Sequence, residues 1–153
     1  MLLNRHASAG ERLSSASLDR ARRLDRVGRA DARELPEALS GYEIDRVVSS
    51  PHARCIETVG ALARSRNLRV ELREELLPDA PVEDIRRLLA ELPETALVCT
   101  HREVIARLFG GELTCEKGGT WLLERDDSGW SPVAYIPPPS SVPRAVDLRE
   151  LSR

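Results

Sequence analysis

Two histidines and two arginines are placed where they could share one anion. Arg5-His6 follows an apolar run that begins at Leu2. His101 follows a second run, Ala96 to Thr100. A third, β-branched stretch ends at Ser49-Ser50 and leads through Pro51-His52-Ala53 to Arg54. Ligands in open parallel sheets bind beyond the carboxyl ends of the strands. If each run is a strand, three strand ends bring His6, His101, Arg5 and Arg54 to one edge of a sheet. The chemistry that suits this set is phosphoryl transfer. A neutral imidazole attacks phosphorus and forms a phospho-histidine that water later hydrolyses, which splits one hard step into two. Arginine forks grip phosphate oxygens in a planar, bidentate way and stabilise charge on the transferring group. Arg54 would sit in the first turn of a helix, where unpaired N–H groups and the helix dipole already favour anions. The second histidine, if protonated, adds a donor, since imidazole has a reference pKa of ~6.5. Arginines and histidines supply the positive charge, so the reading calls for no metal and no cofactor.

These placements demand a scaffold, and the rest of the chain supplies one. Leu2 to Asn4 reads as a short buried strand, and Ser8 to Ser17, small and polar, as a loop. Leu18, Ala21, Leu24, Ala32, Leu35 and Leu39 recur mostly at three and four. Gly28 weakens a continuous helix there, so one helical turn followed by a helix from about Gly28 to Leu39 is expected, stopped by Ser40-Gly41. Ile44 to Ser49, with Val47-Val48, is a second strand. Ser50-Pro51 opens a helix with Ser50 as N-cap and Pro51 at the first position. Ile56, Val59 and Ala63 form its buried face and Asn67 closes it. Arg69 to Leu72 alternates as a third strand, Glu74 to Pro81 is a loop, and Val82, Ile85, Leu88, Leu89 and Leu92 mark an amphipathic helix. Ala96 to Thr100 is the fourth strand. Val104, Ile105 and Leu108 give a helix that Gly110-Gly111 ends. Thr120 to Glu124 and Val133 to Ile136 are two further strands around an Asp126-Asp127-Ser128-Gly129 turn. Alternating strands and helices imply a three-layer α/β fold, a mostly parallel sheet with helices on both faces. The last two strands would add an antiparallel hairpin at one edge. Residues 1–136 form the domain. A Pro-rich tail, 137–153, follows, extended or docking a short helix at Val146 to Leu151.

Composition narrows the partners. At 153 residues the chain suits one domain with a sizeable core. Aromatics make up 3%, too few for a base-stacking RNA module. The net charge of −2 points to no nucleic-acid partner. All of the 23 basic residues except Lys117 are arginine. Genomic base composition explains most of that bias. Three cysteines, Cys55, Cys99 and Cys115, have no CxxC spacing and fit a reduced, intracellular chain. No signal peptide and no apolar run near the ~20 residues of a membrane span is present. The expected setting is the cytoplasm, without membrane association. No sequence feature speaks to the oligomeric state.

With these residues in hand, the chain resembles the histidine phosphatase (phosphoglycerate-mutase-like) superfamily. Leu3-Asn4-Arg5-His6-Ala7 resembles its arginine-histidine-glycine/alanine signature. Ser49-Ser50-Pro51-His52-Ala53-Arg54-Cys55-Ile56-Glu57-Thr58 resembles its serine-serine-proline…arginine…threonine motif. Val98-Cys99-Thr100-His101 resembles its third motif, an apolar strand ending in histidine. The order and spacing agree along residues 1–136. The resemblance implies that His6 is the phosphorylated nucleophile and that Arg5, Arg54 and His101 complete a phosphate pocket. Arg22 stands where small phosphohistidine phosphatases of the SixA type often carry arginine-proline-leucine, with Arg23 in place of the proline. Many members carry a glutamate as general acid after the third strand. Here Leu76-Leu77-Pro78-Asp79 puts Asp79 forward, with Glu74 and Glu75 upstream as alternatives and no acid at all as another. Val98-Cys99-Thr100-His101 with Lys117-Gly118-Gly119-Thr120-Trp121 is most similar to a phosphatase-like domain fused behind Nudix hydrolases in some actinobacteria.

Each residue also has a plainer reading. His52 fits a helix-start residue at the pocket rim. A His6–His52–His101 metal site lacks supporting carboxylate or cysteine spacing. Cys99 lies two residues before His101, but in an apolar run it reads as a small buried hydrophobe. Lys117-Gly118-Gly119 suits a loop before a strand as well as a phosphate, and Asp79 could cap the helix near Pro81. The sequence therefore predicts a metal-independent hydrolase acting on a phosphorylated small molecule or phosphoprotein: phosphohistidine, phosphoprotein or small phosphate ester. The alternatives are a non-catalytic phosphate-binding module and a nucleotide phosphatase that works with a separate Nudix enzyme.

Overall fold

The computed structural model describes residues 1–141. Four short apolar runs form parallel strands: β1 (Leu2–Arg5), β2 (Arg46–Ser49), β3 (Val70–Leu72) and β4 (Ala96–Thr100). Two longer strands, β5 (Thr120–Asp126) and β6 (Gly129–Ile136), form an antiparallel hairpin beside β1. The sheet order is β3-β2-β4-β1-β5-β6. Successive strand side chains point to opposite faces, so each apolar run feeds two cores. Leu2, Val47 and Leu97 face helices α2 (Arg26–Ala38) and α3 (Ala53–Ser65), packing with Leu35, Leu39, Val59 and Leu62. Leu3, Val48 and Val98 face α4 (Val82–Glu91) and α5 (Arg102–Phe109), packing with Leu88, Leu89, Leu92 and Ile105. Each such leucine contributes roughly 1.5–3 kcal/mol by leaving water. The expected three layers are therefore present, with both faces of the parallel sheet covered.

Several boundaries differ from the sequence expectation for local reasons. A short helix, α1 (Ala16–Arg20), begins inside the expected Ser8–Ser17 loop, because the Ser15 hydroxyl accepts from Leu18 N–H and caps it. Asp25 caps α2 by accepting from Gly28 N–H at 2.9 Å. Helix α3 starts after His52, not at Ser50-Pro51, since the Ser50 hydroxyl is committed to another partner, described below. Ile56 is only half-buried, and α3 instead turns Arg54, Cys55 and Thr58 inward beside Val59 and Ala63. Both hairpin strands run further than expected, and β6 admits Pro132 opposite an irregularity at Leu122/Leu123, as an edge strand can. The tail continues the fold past Ile136. Ser140 donates from N–H (2.7 Å) and hydroxyl (2.9 Å) to the buried Asp31 carboxylate on α2. The short helix considered at Val146 to Leu151 lies outside the described residues. No helix among the described residues is long and apolar enough to cross a membrane.

Gly28 has a role that helix propensity does not convey. A Cβ there would collide with the Ser8 carbonyl oxygen, which already accepts from Asp25 N–H at 3.0 Å. The loop after His6 thus lies directly on α2. Gly28→Ala should destabilise the protein by about 1–3 kcal/mol, as overpacking does. Thermal denaturation checks this, and an unchanged melting temperature would show that the loop yields freely.

Candidate active site

The site follows from strand order. β4 lies between β1 and β2, with Arg5 opposite Thr100 and Ser49 opposite Cys99. The three strand ends are therefore adjacent, and the residues that follow them meet above the sheet edge. His6 N–H donates to Thr100 O at 3.1 Å, and Gly118 N–H donates to the carbonyls of both Arg5 and His6 at 3.0 Å. Gly118 holds φ +85°, and its α-carbon faces Ala7 and Pro138, which leaves little room for a side chain. Ala7 N–H donates to the Thr58 hydroxyl at 3.0 Å, which donates in turn to Arg54 O at 2.6 Å. The nucleophile candidate thus has its backbone tied to three elements.

His6 is held as a neutral imidazole of one tautomer. Its Nδ1 lies 2.8 Å from Ala7 O, a contact that only a protonated Nδ1 can make. The lone pair is then on Nε2, which accepts from Arg54 Nε at 3.3 Å. Burial first, and then the Arg54, Arg5 and Arg22 charges, bring its pKa down to about 4, although the Ala7 bond opposes them. Arg54, 2% exposed, also donates through Nη1 to Asp19 O (2.7 Å) and through Nη2 to Asp19 Oδ2 (3.3 Å). The other Asp19 oxygen accepts from Arg22 Nε at 3.0 Å, and Arg22 Nη1 donates to the carbonyls of Ala9 and Gly10. One carboxylate on α1 therefore presents two guanidinium groups to the same cleft. Burial raises the Asp19 pKa, but the Leu13 amide and the two arginines outweigh it and keep the group ionised.

His101 lies behind His6, with ring centroids 5.4 Å apart. Its Nε2 pairs with the Ser50 hydroxyl at 2.8 Å, which is why Ser50 does not cap α3. Burial, and then His6 and Arg54, bring its pKa down to about 2, so it is held neutral. The thiol beside it is Cys55, at 3.7 Å from Nε2. Cys99 instead lies fully buried against Cys55 in the core, its thiol pKa pushed up by burial. His52 packs edge-on against His101, centroids 4.7 Å apart, and does not line the cleft. Among the described residues no three His, Cys, Asp or Glu side chains converge to hold a metal ion.

The cleft has a volume of about 350 Å³ and is lined by Arg5, His6, Arg22, Arg54 and His101 together with Arg12, Arg102, Glu103 and Lys117. Asp79 does not reach it. Thr100 holds the Leu76 carbonyl at 2.9 Å and Arg107 holds that of Pro78, which leaves Asp79 exposed and turned to solvent. Nor does Asp79 cap α4, whose N-cap is Pro81 without a side-chain bond. Glu74 pairs with Arg20 and Glu75 with Arg73, both outside the cleft. The lining carboxylate is Glu103, absent from the sequence reading. Burial raises its pKa, but its own amide, Arg12 and Arg102 outweigh this and hold it below the usual range. Asp19 carries no role in the sequence reading, Ser50 is read there as a helix N-cap, and Thr58 only as the end of a motif. Two spacings carried a signal: Asp19 and Arg22 three apart, and Arg54 and Thr58 four apart, each on one helical face.

Three buried neutral imidazoles make stability depend on pH. Each titrates near 6.5 when unfolded and lower when folded, His52 at about 4 through burial and Arg54. The unfolded chain then binds more protons, so stability is full above pH ~6.5 and falls as the pH drops toward the folded values. The melting temperature in a phosphate-free buffer should fall by several degrees between pH 7 and pH 5, where carboxylates remain ionised. A flat profile over that window would contradict the buried neutral cluster.

The profile of the histidine phosphatase superfamily (branch 1) matches residues 1–77. The 8-oxo-(d)GTP phosphatase of Mycolicibacterium smegmatis is 29% identical over 157 residues, 91% of this chain and 48% of that protein. The chain thus spans about half the length of this curated relative. Among solved structures, the protein histidine phosphatase SixA complexed with tungstate matches with a TM-score of 0.70 at 25% identity, over 90% of this chain and 97% of that one. The mycobacterial glucosyl-3-phosphoglycerate phosphatase with VO3 matches with a TM-score of 0.73 at 17% identity, over 90% and 98%, which shows a common fold.

Proposed function

The chain belongs to the histidine phosphatase superfamily and has its phosphoglycerate-mutase-like fold, and we propose that it is a phosphatase working through a phospho-His6 intermediate. One observation carries the reading: a neutral His6 whose Nε2 lone pair faces a cleft ringed by Arg5, Arg22, Arg54 and His101. A phosphoryl group seated there displaces the Arg54–Nε2 contact and takes its place before the lone pair. Nε2 attacks phosphorus while the guanidinium groups hold the equatorial oxygens. Water then attacks the phospho-imidazole and releases inorganic phosphate. A dianion among these cationic side chains supplies a counter-charge close to the imidazole, which favours a protonated His101 in the loaded state.

The substrate follows from what surrounds His6. Glu103, the cleft carboxylate, is ion-paired, so a leaving group that departs without a strong acid fits best. The cleft is open to solvent. The weak acid favours phosphohistidine or an activated small phosphate ester, and the open cleft leaves room for a phosphoryl group carried on a protein. A second reading is a nucleotide phosphatase acting with a separate Nudix hydrolase, and the 8-oxo-(d)GTP phosphatase relative supports its nucleotide part. Three buried free thiols suit a reducing compartment such as the cytoplasm.

Phosphoenzyme trapping tests the proposal. Acid-sparing quench during turnover of an aryl phosphate should leave an alkali-stable, acid-labile phosphoryl group on His6, located by mass spectrometry. Turnover without phospho-His6 would reject the mechanism. Binding of phosphate without turnover would leave the non-catalytic module.

A further inference from the structure

The cleft holds more positive charge than one phosphoryl group requires. Arg5, Arg22 and Arg54 stand around His6 at the floor. Arg12, Arg102 and Lys117, from three separate segments, line the outer part of the same cleft. The two outer arginines share one carboxylate. Glu103 Oε1 lies 2.9 Å from Arg12 Nη2 and 3.9 Å from Arg102 Nη2. Lys117, the single lysine of the chain, makes no ion pair among the described residues. Like charges gathered in a cleft raise each other's energy and are relieved by an anion that bridges them. At the floor, the Arg5 Nε is buried without a partner, so the inner subsite is also short of acceptors.

We propose that Arg12, Arg102 and Lys117 form a second anion subsite, and that the preferred substrate is a phosphoanhydride whose terminal phosphoryl sits at His6 and whose next phosphate sits on this rim. The inference rests on the phosphatase reading above and names its substrate class. The chemistry agrees with the acid inventory of the cleft. His6 Nε2 forms the P–N bond as the bridging P–O bond breaks. The bond pair stays on the bridging oxygen, which becomes a peripheral oxygen of the departing phosphate. That phosphate leaves as an anion and needs no proton, so the ion-paired Glu103 is no handicap. Water then forms the new P–O bond, the P–N pair returns to Nε2, and the water proton passes to solvent with inorganic phosphate. An alkyl monoester would instead expel an alkoxide, which does need an acid. The rim arginines offer forks and Lys117 a mobile point charge, a combination suited to a phosphate that must enter and leave.

Binding separates this inference from the catalytic one. The full chain is titrated calorimetrically with inorganic pyrophosphate and with orthophosphate, and again as the Arg12→Ala/Arg102→Ala/Lys117→Ala variant. The wild type should bind pyrophosphate at least tenfold more tightly than orthophosphate, and the variant should bring that ratio to within about twofold. Equal binding by the wild type, or a preference that survives in the variant, overturns the subsite even if phospho-His6 is trapped. If the preference is present but no phosphoenzyme forms, the subsite stands and the catalytic reading falls. In active protein, the kcat/KM ratio of a nucleoside diphosphate to an aryl monoester should fall at least tenfold in the variant. An unchanged ratio would place the second phosphate elsewhere.

Discussion

His6→Ala is expected to lower kcat/KM for an aryl phosphate by about 10,000-fold or more, roughly 5 kcal/mol of transition-state stabilisation. The size follows from what is lost. Without Nε2 there is no P–N bond, and water must attack the substrate directly, in one hard step instead of two easier ones. The fold should survive the change. The contacts that tie this position to β4 and to Gly118 are made by its backbone, not its ring. Arg5, Arg22 and Arg54 remain, so orthophosphate should still raise the melting temperature of the variant. Steady-state kinetics with the aryl phosphate, alongside thermal shift with and without phosphate, checks both halves. Residual activity within tenfold of wild type would remove His6 from the nucleophile's role. Loss of activity together with loss of phosphate-induced stabilisation would instead show a collapsed pocket.

Arg54→Lys should be nearly as damaging, about 100- to 1,000-fold in kcat. Arg54 uses all three guanidinium nitrogens at once, Nε toward His6 and both Nη toward Asp19. A lysine carries the charge but offers one point donor, which cannot reach His6 and Asp19 together. Asp19 then loses one of its two guanidinium partners, and the carboxylate that aims Arg22 into the cleft is held less firmly. The loss should fall on kcat more than on KM if the guanidinium serves the transferring phosphoryl group. A KM effect with kcat preserved would make Arg54 an ordinary binding residue. Since the side chain is buried, a melting curve must accompany the kinetics.

Most of the scaffold was legible because apolar periodicity reports burial directly. Runs such as Leu2-Leu3 and Leu97-Val98 are apolar on both sides, and only a sheet covered on both faces buries both sides. Strand ends were legible too, and with them the neighbourhood of His6, Arg54 and His101. Helix starts were less so, as Ser50 shows. Its hydroxyl suits an N-cap in isolation, but His101, fifty-one positions away, claims it. Asp79 illustrates the opposite error. A carboxylate close to a family position looked like an acid, yet the carbonyls of Leu76 and Pro78 are held so that it faces water.

The sequence by itself determined which residue types reach the sheet edge, because strand positions along the chain follow from local apolar pattern; the order of the strands in the sheet, which makes three of those ends adjacent, came with the tertiary fold. Only the tertiary structure decided their state. The neutrality of His6 and His101 arises from burial among arginines drawn from distant segments. The aim of Arg54 and Arg22 depends on Asp19 from α1. The cleft carboxylate is Glu103, and its ion-pair partner Arg12 lies ninety-one positions away. Charge, solvation and hydrogen bonding act through space, and local sequence records only what neighbours along the chain can impose.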